Sequence, residues 1–490
     1  MKKKVIDIIL LLLIFDFGLF FRIYRINEFA TFLGDQGRDA IIVKRIISFE
    51  HLPAIGAPMS IATNVGNLYL GPFYYYLLTP FQFILRNNPL SQALAVAMIN
   101  SFSILAVFFM VKKFFGRAAA LLTAFLIAFS QINISLSRFS WNPNTLPFFS
   151  FISLYFFLMI IKKKKRLDYI LFGLSLALSL QLHYMYLPLI AVYILIIGYL
   201  CVKKVFHLDD IKKFVYSFAS FLLISSPLLV FDLRHEYLNL RALISLFVDR
   251  KDVIGLSQPT SYLNNLFTTL QSFIKFTFNL QIKGLALALA VIIFALGFYF
   301  VLKDKKAFYE RIVIYSFSLF FLVIIFYHGE KNPHYFTPIF YIFFLVLSIV
   351  LLKIKNNLAI FGKIFLVIFS LGYLYLNISN LDFIMYKPSN QIAKTQAVAK
   401  IIFDNITENK YTLTTLPYKY SDSTYRYFLE IWGKKPLEKD SLERADELFV
   451  VCEAPCQPIG DPQWDIAYFA PKKIEGVWHI NDLTIYRLSH

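Results

Sequence analysis

The sequence predicts a polytopic α-helical membrane protein of about 11 transmembrane helices, followed by a small C-terminal α/β domain outside the cytoplasm. Three observations carry this expectation. Of the 490 residues, 58% are hydrophobic and 54 are Phe, too rich for an ordinary soluble enzyme. Apolar runs of about 17–20 residues recur along the first 380 positions, long enough to cross a hydrocarbon core as helices. The formal net charge of +18 is also unevenly placed: from 381 onward there are 13 Lys and Arg against 15 Asp and Glu, a net of −2, which leaves +20 on the first 380 residues. Much of that excess sits in short loops between apolar runs, the pattern that orients a membrane protein, and not in the basic face of a nucleic-acid binder.

Met1-Lys2-Lys3-Lys4 and the apolar run 5–22 form an uncleaved first span, because Arg22-Ile23-Tyr24-Arg25 follows where a small-residue cleavage site would be needed. Residues 23–89 make a long first outer segment. Within it, 35–49 is an amphipathic helix with Ala40, Ile41, Val43, Ile46 and Ile47 on one side. The stretch 71–85 is aromatic, contains Pro80 and is short for a span. A full crossing there would reverse every later loop, so it is read as a second interfacial helix. Further spans are expected at 90–111, 117–135, 145–161, 169–186, 188–202, 213–232, 284–302, 311–327, 337–353 and 358–377. With the N-terminus inside, the cytoplasmic connections carry Lys112 to Arg117, Lys162 to Arg166, Lys203 to Lys213, Lys303 to Arg311 and Lys353 to Lys363, and all are basic. The remaining outer segments are 137–144, 183–186, a loop from 234 to about 281, and 327–336.

The domain division is therefore 1–380 in the membrane and 381–490 outside it. In the tail, Gln391–Asn405 and 423–432 read as helices, and Tyr411–Leu416 and Glu447–Cys452 as strands. Residues 478–488 read as a hairpin turning at Asn481-Asp482. No phosphate-binding glycine loop occurs there. Cys452 and Cys456 lack a second ligand pair at zinc spacing. In an oxidising compartment they form a small disulfide loop, and two free thiols is the other reading.

Polar residues crowd the outer segments. In Gly34-Asp35-Gln36-Gly37-Arg38-Asp39-Ala40, Asp35 is a candidate base and Arg38, three residues on, shares its helical face and suits a phosphate. The structural alternatives are an N-cap for Asp35 and an ion pair for Arg38 with Asp35 or Asp39. Lys331, His334 and Tyr335, in a cluster beginning at Glu330, offer a point charge and hydrogen-bond donors to phosphate; snorkelling at headgroup level is the other reading. Arg138 is a further phosphate candidate. Asn142 and Asn144 have amides that suit sugar hydroxyls, and Trp141 beside them is read as an interfacial aromatic. His183 and Tyr184 close a span on the same side. Gln36 and Asp39 complete the set of substrate contacts. Asp16 at membrane depth and Asp232, Arg234 and His235 at a span end are weaker candidates. No metal site is evident, because the outer carboxylates lack ligand spacing; a divalent ion held by Asp35 and a distant acid is the open alternative.

Over residues 1–380 the layout resembles the GT-C glycosyltransferases, especially the branch of protein O-mannosyltransferases and aminoarabinose lipid A transferases. The family's Asp-Glu-x-Arg-x-Ala is similar to Asp35-Gln36-Gly37-Arg38-Asp39-Ala40, with Gln36 in place of Glu. Its Gly-Lys-x-Pro-x-Tyr is similar to Gly329-Glu330-Lys331-Asn332-Pro333-His334-Tyr335 with one residue inserted. Where the family often has Asp before Pro, this chain has Asn142. The resemblance implies a polyprenyl-phosphate-linked sugar donor, Asp35 as the essential acid and Lys331 as a phosphate contact. The expectation is an inverting transferase in the cytoplasmic membrane, moving a sugar to an extracytoplasmic lipid, glycan or protein acceptor, with no nucleic-acid partner. The competing expectation is a transporter or flippase for a lipid-linked glycan, which would place ionisable residues along a path through the spans.

Overall fold

The structure, a computed structural model, describes residues 2–63, 65–248, 261–278, 283–327, 331–417, 421–439, 441 and 443–490. Helices occupy every expected span: Lys2–Ile23, Ser91–Phe129, Leu146–Lys163, Arg166–Leu182, Leu187–Val202, Phe214–Arg234, Lys283–Lys303, Phe308–Ile324, Phe340–Asn357 and Ala359–Ile378. Ser91–Phe129 holds two of them, broken at Gly116, where a positive φ of 80° turns the chain back. Among the described residues, 6 helices are long and apolar enough to cross a membrane by length and composition alone. The most enclosed is Phe340–Asn357, whose apolar residues are buried all round, as expected of a helix at the centre of a bundle.

The basic connections gather at one end of this bundle. Arg117 pairs with Asp7 at the start of the first span. Lys113 donates to the Tyr155 hydroxyl at 2.9 Å, Lys164 pairs with Asp210 at 2.5 Å, and Lys353 with Asp304 at 2.5 Å. The outer segments meet one another at the opposite end, where rings of Trp141, His183, His334 and Tyr335 are in contact. The expected sidedness is testable in a Cys201→Ser background. A cysteine at exposed Asp482 reacts with an impermeant maleimide in intact cells, and one at exposed Lys165 reacts only after permeabilisation. The reverse pattern would invert the topology.

Two expectations need correction. The stretch 234–281 is not a plain loop: helices Leu238–Val248 and Tyr262–Phe278 lie in it. The second buries Asn265, Thr269, Phe273 and Thr277, at a spacing of four, and sets Phe273 among Phe321, Phe336 and Phe343 with ring centroids 5.0–5.4 Å apart. The outer segment 23–89 also contains an unanticipated hairpin of β1 (Pro58–Thr63) and β2 (Gly66–Tyr69). It sits between the two expected interfacial helices, which are present as Gly34–Ile47 and Phe73–Ile84.

The tail is an α/β domain that contains each element read from the sequence and, besides them, the short helices Asp382–Met385 and Trp464–Phe469 that the sequence reading did not include. Its mixed sheet has the order β3-β4-β6-β5. β3 (Tyr411–Leu416) runs parallel to β4 (Glu447–Cys452), and β5 (Lys473–Ile480) and β6 (Leu483–Ser489) form the hairpin around Asn481-Asp482. β4 is buried along its whole length. Val398 and Ile402 of helix Gln391–Asn405 cover one face with Phe449 and Val451, and Ile466 and Phe469 pack with Leu448 and Val450. Cys452 and Cys456 are joined as a disulfide.

Candidate active site

The motif helix Gly34–Ile47 begins after Leu33, so Asp35 lies in its first turn and is not the N-cap. Gln36 performs the capping: its Oε1 accepts the Leu33 amide at 2.9 Å, while its Nε2 donates to the Ser140 carbonyl at 2.8 Å. Gln36 is thus consumed in fixing the helix to segment 137–144 and does not line a cavity. Gly34 and Gly37, three apart, turn one side of the helix to the tail. A Cβ on Gly34 would stand 2.4 Å from the Ser421 Cβ, and one on Gly37 would stand 2.5 Å from the Thr424 amide nitrogen. Only a helix bare of side chains at both positions lets the tail approach this closely.

The other side presents the charged groups. Arg38 donates through Nη1 to Asp35 Oδ1 at 2.9 Å, and through Nε and Nη2 to Asp39 Oδ1 at 2.9 and 2.7 Å. Asp39 is buried, and that burial pushes its carboxyl up to about 6 against the opposing pull of Arg38. Asp35 keeps a side chain 52% exposed, so the two acids differ: one anchors the guanidinium and the other faces water.

Asp35 and Arg38 form one wall of a cavity of about 250 Å³. The hairpin contributes Pro58 and Met59, and the lining also includes Trp141, Asn142, His183, His334 and Tyr335. Trp141 and His334 have ring centroids 4.7 Å apart, and His334 and Tyr335 4.2 Å. Burial lowers His183 to about 3 and His334 to about 4, so both imidazoles are neutral near pH 7. His183 Nδ1 accepts the Met185 amide at 3.1 Å. The cavity therefore combines a carboxylate–guanidinium pair with a cluster of uncharged aromatic rings.

Several candidates lie elsewhere. Arg138 does not join the cavity. Its Nη1 donates to the carbonyls of Phe21 and Arg22 at 3.0 and 3.2 Å, in the last turn of the first span, and its guanidinium lies 4.4 Å from the Phe383 ring centre. Unsatisfied carbonyls at a helix C-terminus attract a cation, which explains the placement. Lys331 donates to the Tyr327 carbonyl and covers that residue's ring at 4.7 Å, and burial lowers its amine to about 8. It too is absent from the cavity lining. Asn142 lines the cavity while its amide donates to the Leu182 carbonyl at 2.5 Å. Asn144 is buried and donates to the Phe139 carbonyl at 2.6 Å, and Tyr184 donates to the Tyr69 carbonyl at 2.8 Å, bracing the hairpin. Asp39 lines only a small adjoining hollow with Tyr74 and Tyr75. Asp16 is exposed on the first span, and Asp232 caps helix Leu238–Val248 through the Asn239 amide at 2.6 Å. Gly329 and Glu330 lie outside the described residues. The sequence reading passed over Trp141 as a cavity wall and over the hairpin; the signal for Trp141 was its position beside Asn142 in an already polar cluster.

Residues 70–231 match the family model described as dolichyl-phosphate-mannose-protein mannosyltransferase. In structure the chain is similar to ArnT from Cupriavidus metallidurans bound to undecaprenyl phosphate, with a TM-score of 0.60 at 12% identity, covering 99% of this chain and 98% of that chain. It is also similar to the archaeal oligosaccharyltransferase AglB from Archaeoglobus fulgidus, solved in complex with an inhibitory peptide and a dolichol-phosphate. There the TM-score is 0.52 at 14% identity, over 89% of this chain and 64% of that chain. No curated protein matches the chain in sequence. The chain thus shares the fold of these two membrane proteins, the likeness that the motif resemblance implied.

Proposed function

We propose that the chain is a membrane glycosyltransferase that moves a sugar from a polyprenyl-phosphate carrier to a hydroxyl outside the cytoplasm. The observation that carries this reading is the cavity at the end of the bundle opposite the basic loops, where water-facing Asp35 is bonded to Arg38 in a lining shared with Trp141 and His334. Asp35 takes the proton of the acceptor hydroxyl as its oxygen attacks the anomeric carbon. The bond from that carbon to the phosphate oxygen breaks, its electron pair leaves with the phosphate, and Arg38 stabilises the charge that develops. Attack from the face opposite the phosphate inverts the anomeric centre. The aromatic wall suits the C–H face of a sugar ring. The carrier class is supported by the family match and by the lipid phosphates bound to the two similar structures.

The test is turnover by the purified chain in bilayer nanodiscs supplied with labelled polyprenyl-phosphate hexoses and pentoses and with an extract of the cell envelope as the source of acceptor. Release of free polyprenyl phosphate from one of them is expected; inertness toward all would reject the reading. The reaction also has a predicted acid limb. Asp39 must be ionised to grip Arg38, and its carboxyl sits near 6, so turnover rises with pH through that value. Stability moves the opposite way. Because the folded carboxyl is raised above the ordinary 3.8, its contribution is fully present below that value and is lost as pH climbs toward 6. Asp39→Asn removes the limb from the pH–rate profile; an unchanged limb would assign it to another group.

A further inference from the structure

The cavity around Asp35 holds nothing that identifies the acceptor, but the tail does. Beside its short helix Trp464–Phe469 lies a cleft of about 270 Å³. Trp464 and Tyr468, one turn apart, stand along it with ring centroids 5.7 Å apart and planes 21° from parallel. They are 73% and 50% exposed. Two large aromatic faces held side by side in water forgo apolar burial, so a surface that keeps them there has a use for them. The floor is Phe469 stacked on His490 at 4.4 Å, and the rim carries Lys439 and Asp465.

Flat rings beside a charged rim match a hexopyranose, whose C–H faces lie on aromatic rings while its equatorial hydroxyls bond to carboxylate and ammonium groups. A lipid surface fits less well, since the site is concave and acids share its rim with the lysines. The cleft also leads somewhere. Lys439 and Glu438 line both it and a second groove of about 310 Å³ between the tail and the motif helix. The other wall of that groove includes Arg38, which lines the Asp35 cavity as well.

We propose that the tail cleft binds a hexopyranose chain on the Trp464–Tyr468 platform and that this glycan is the acceptor, its end reaching Asp35 along the groove. The proposal rests on the transferase reading for the acceptor role, though not for the binding itself. The test is saturation-transfer NMR on the full chain in nanodiscs, with maltotetraose, cellotetraose and chitotetraose as probes and no donor present. At least one probe receives saturation at its ring C–H protons. Trp464→Ala lowers that signal fivefold or more, and Trp464→Phe, which keeps an aromatic face, retains most of it; thermal midpoints establish that both variants are folded. No saturation of any probe, or equal saturation in Trp464→Ala, overturns the proposal. Donor turnover, measured after labelled donor is added to the probe-loaded samples, separates the two claims. A chain that consumes donor yet ignores all probes loses the cleft and keeps the transferase reading, and one that binds a probe through Trp464 yet consumes no donor keeps the cleft and loses the transferase reading together with the acceptor role.

Discussion

Asp35→Asn is expected to slow sugar transfer by about 100-fold or more, the usual contribution of a positioned general base. Asn keeps the size of Asp and can still accept the Arg38 Nη1 hydrogen bond now made at 2.9 Å, but it cannot take a proton. The structural role of Asp35 is small. Leu33 is the N-cap and Gln36 satisfies its amide, so Asp35 supplies a first-turn charge worth about 0.3–1 kcal/mol and a half-exposed ion pair with Arg38. Its 52% exposed side chain buries little. A folded Asp35→Asn chain with slow transfer and near-normal donor affinity is therefore the expected result of steady-state kinetics with a labelled donor. Transfer within threefold of the native rate would remove Asp35 as the base.

Gly37→Ala should act through the tail and lower transfer tenfold or more. In an exposed helix this change would stabilise by about 0.5–1 kcal/mol. Here the new methyl would stand 2.5 Å from the Thr424 nitrogen and 2.6 Å from the Ser423 carbonyl carbon, both backbone atoms that cannot swing aside. Overpacking of this kind costs about 1–3 kcal/mol, which outweighs the helical gain. The strain falls on the docking of helix Ser423–Ile431, which otherwise is held by Arg45 to both Glu430 oxygens at 3.1 and 2.9 Å, by Tyr427 donating to the Asn87 carbonyl at 2.6 Å, and by Phe32 packed edge-on against the rings of Tyr427 and Phe428. Hydrogen exchange across 423–431 should accelerate in the variant while that of the spans does not. Unchanged exchange and unchanged transfer would show that the tail does not depend on this glycine.

The long apolar helices were legible because a bilayer demands long apolar runs. Helix Tyr262–Phe278 was not, since its asparagines and threonines interrupt the run. They are buried all the same, because Thr269 and Thr277 return hydrogen bonds to their own helix carbonyls at 2.6 and 2.7 Å. Most tail elements were legible from their alternation and helical period, but the six-residue helix Trp464–Phe469 is too short to show a period and was not. Their docking was not: the worth of Gly34 and Gly37 depends on the surface around Ser421 and Thr424, far along the chain and with no local trace. Asp35 and Arg38 share a face because three residues make nearly one helical turn. Arg138 and Lys331 were misplaced for the converse reason: sequence assigned them to the right end of the bundle but could not tell which carbonyls would claim their charges. The tryptophan beside Asn142 shows the same limit, since a ring at an interface and a ring in a sugar-sized cavity read alike until the facing His334 is placed.

The central claim is that lipid phosphate is received at the Asp35–Arg38 wall. Its most direct test is a cryo-electron microscopy map of the chain in nanodiscs with a saturating polyprenyl monophosphate. Density for the phosphate is expected within hydrogen-bond distance of the Arg38 guanidinium, in the cavity bounded by Asp35, Trp141 and His334. Phosphate density at the basic-loop end of the bundle, or beside Arg138 with the Asp35 cavity left open, would contradict it.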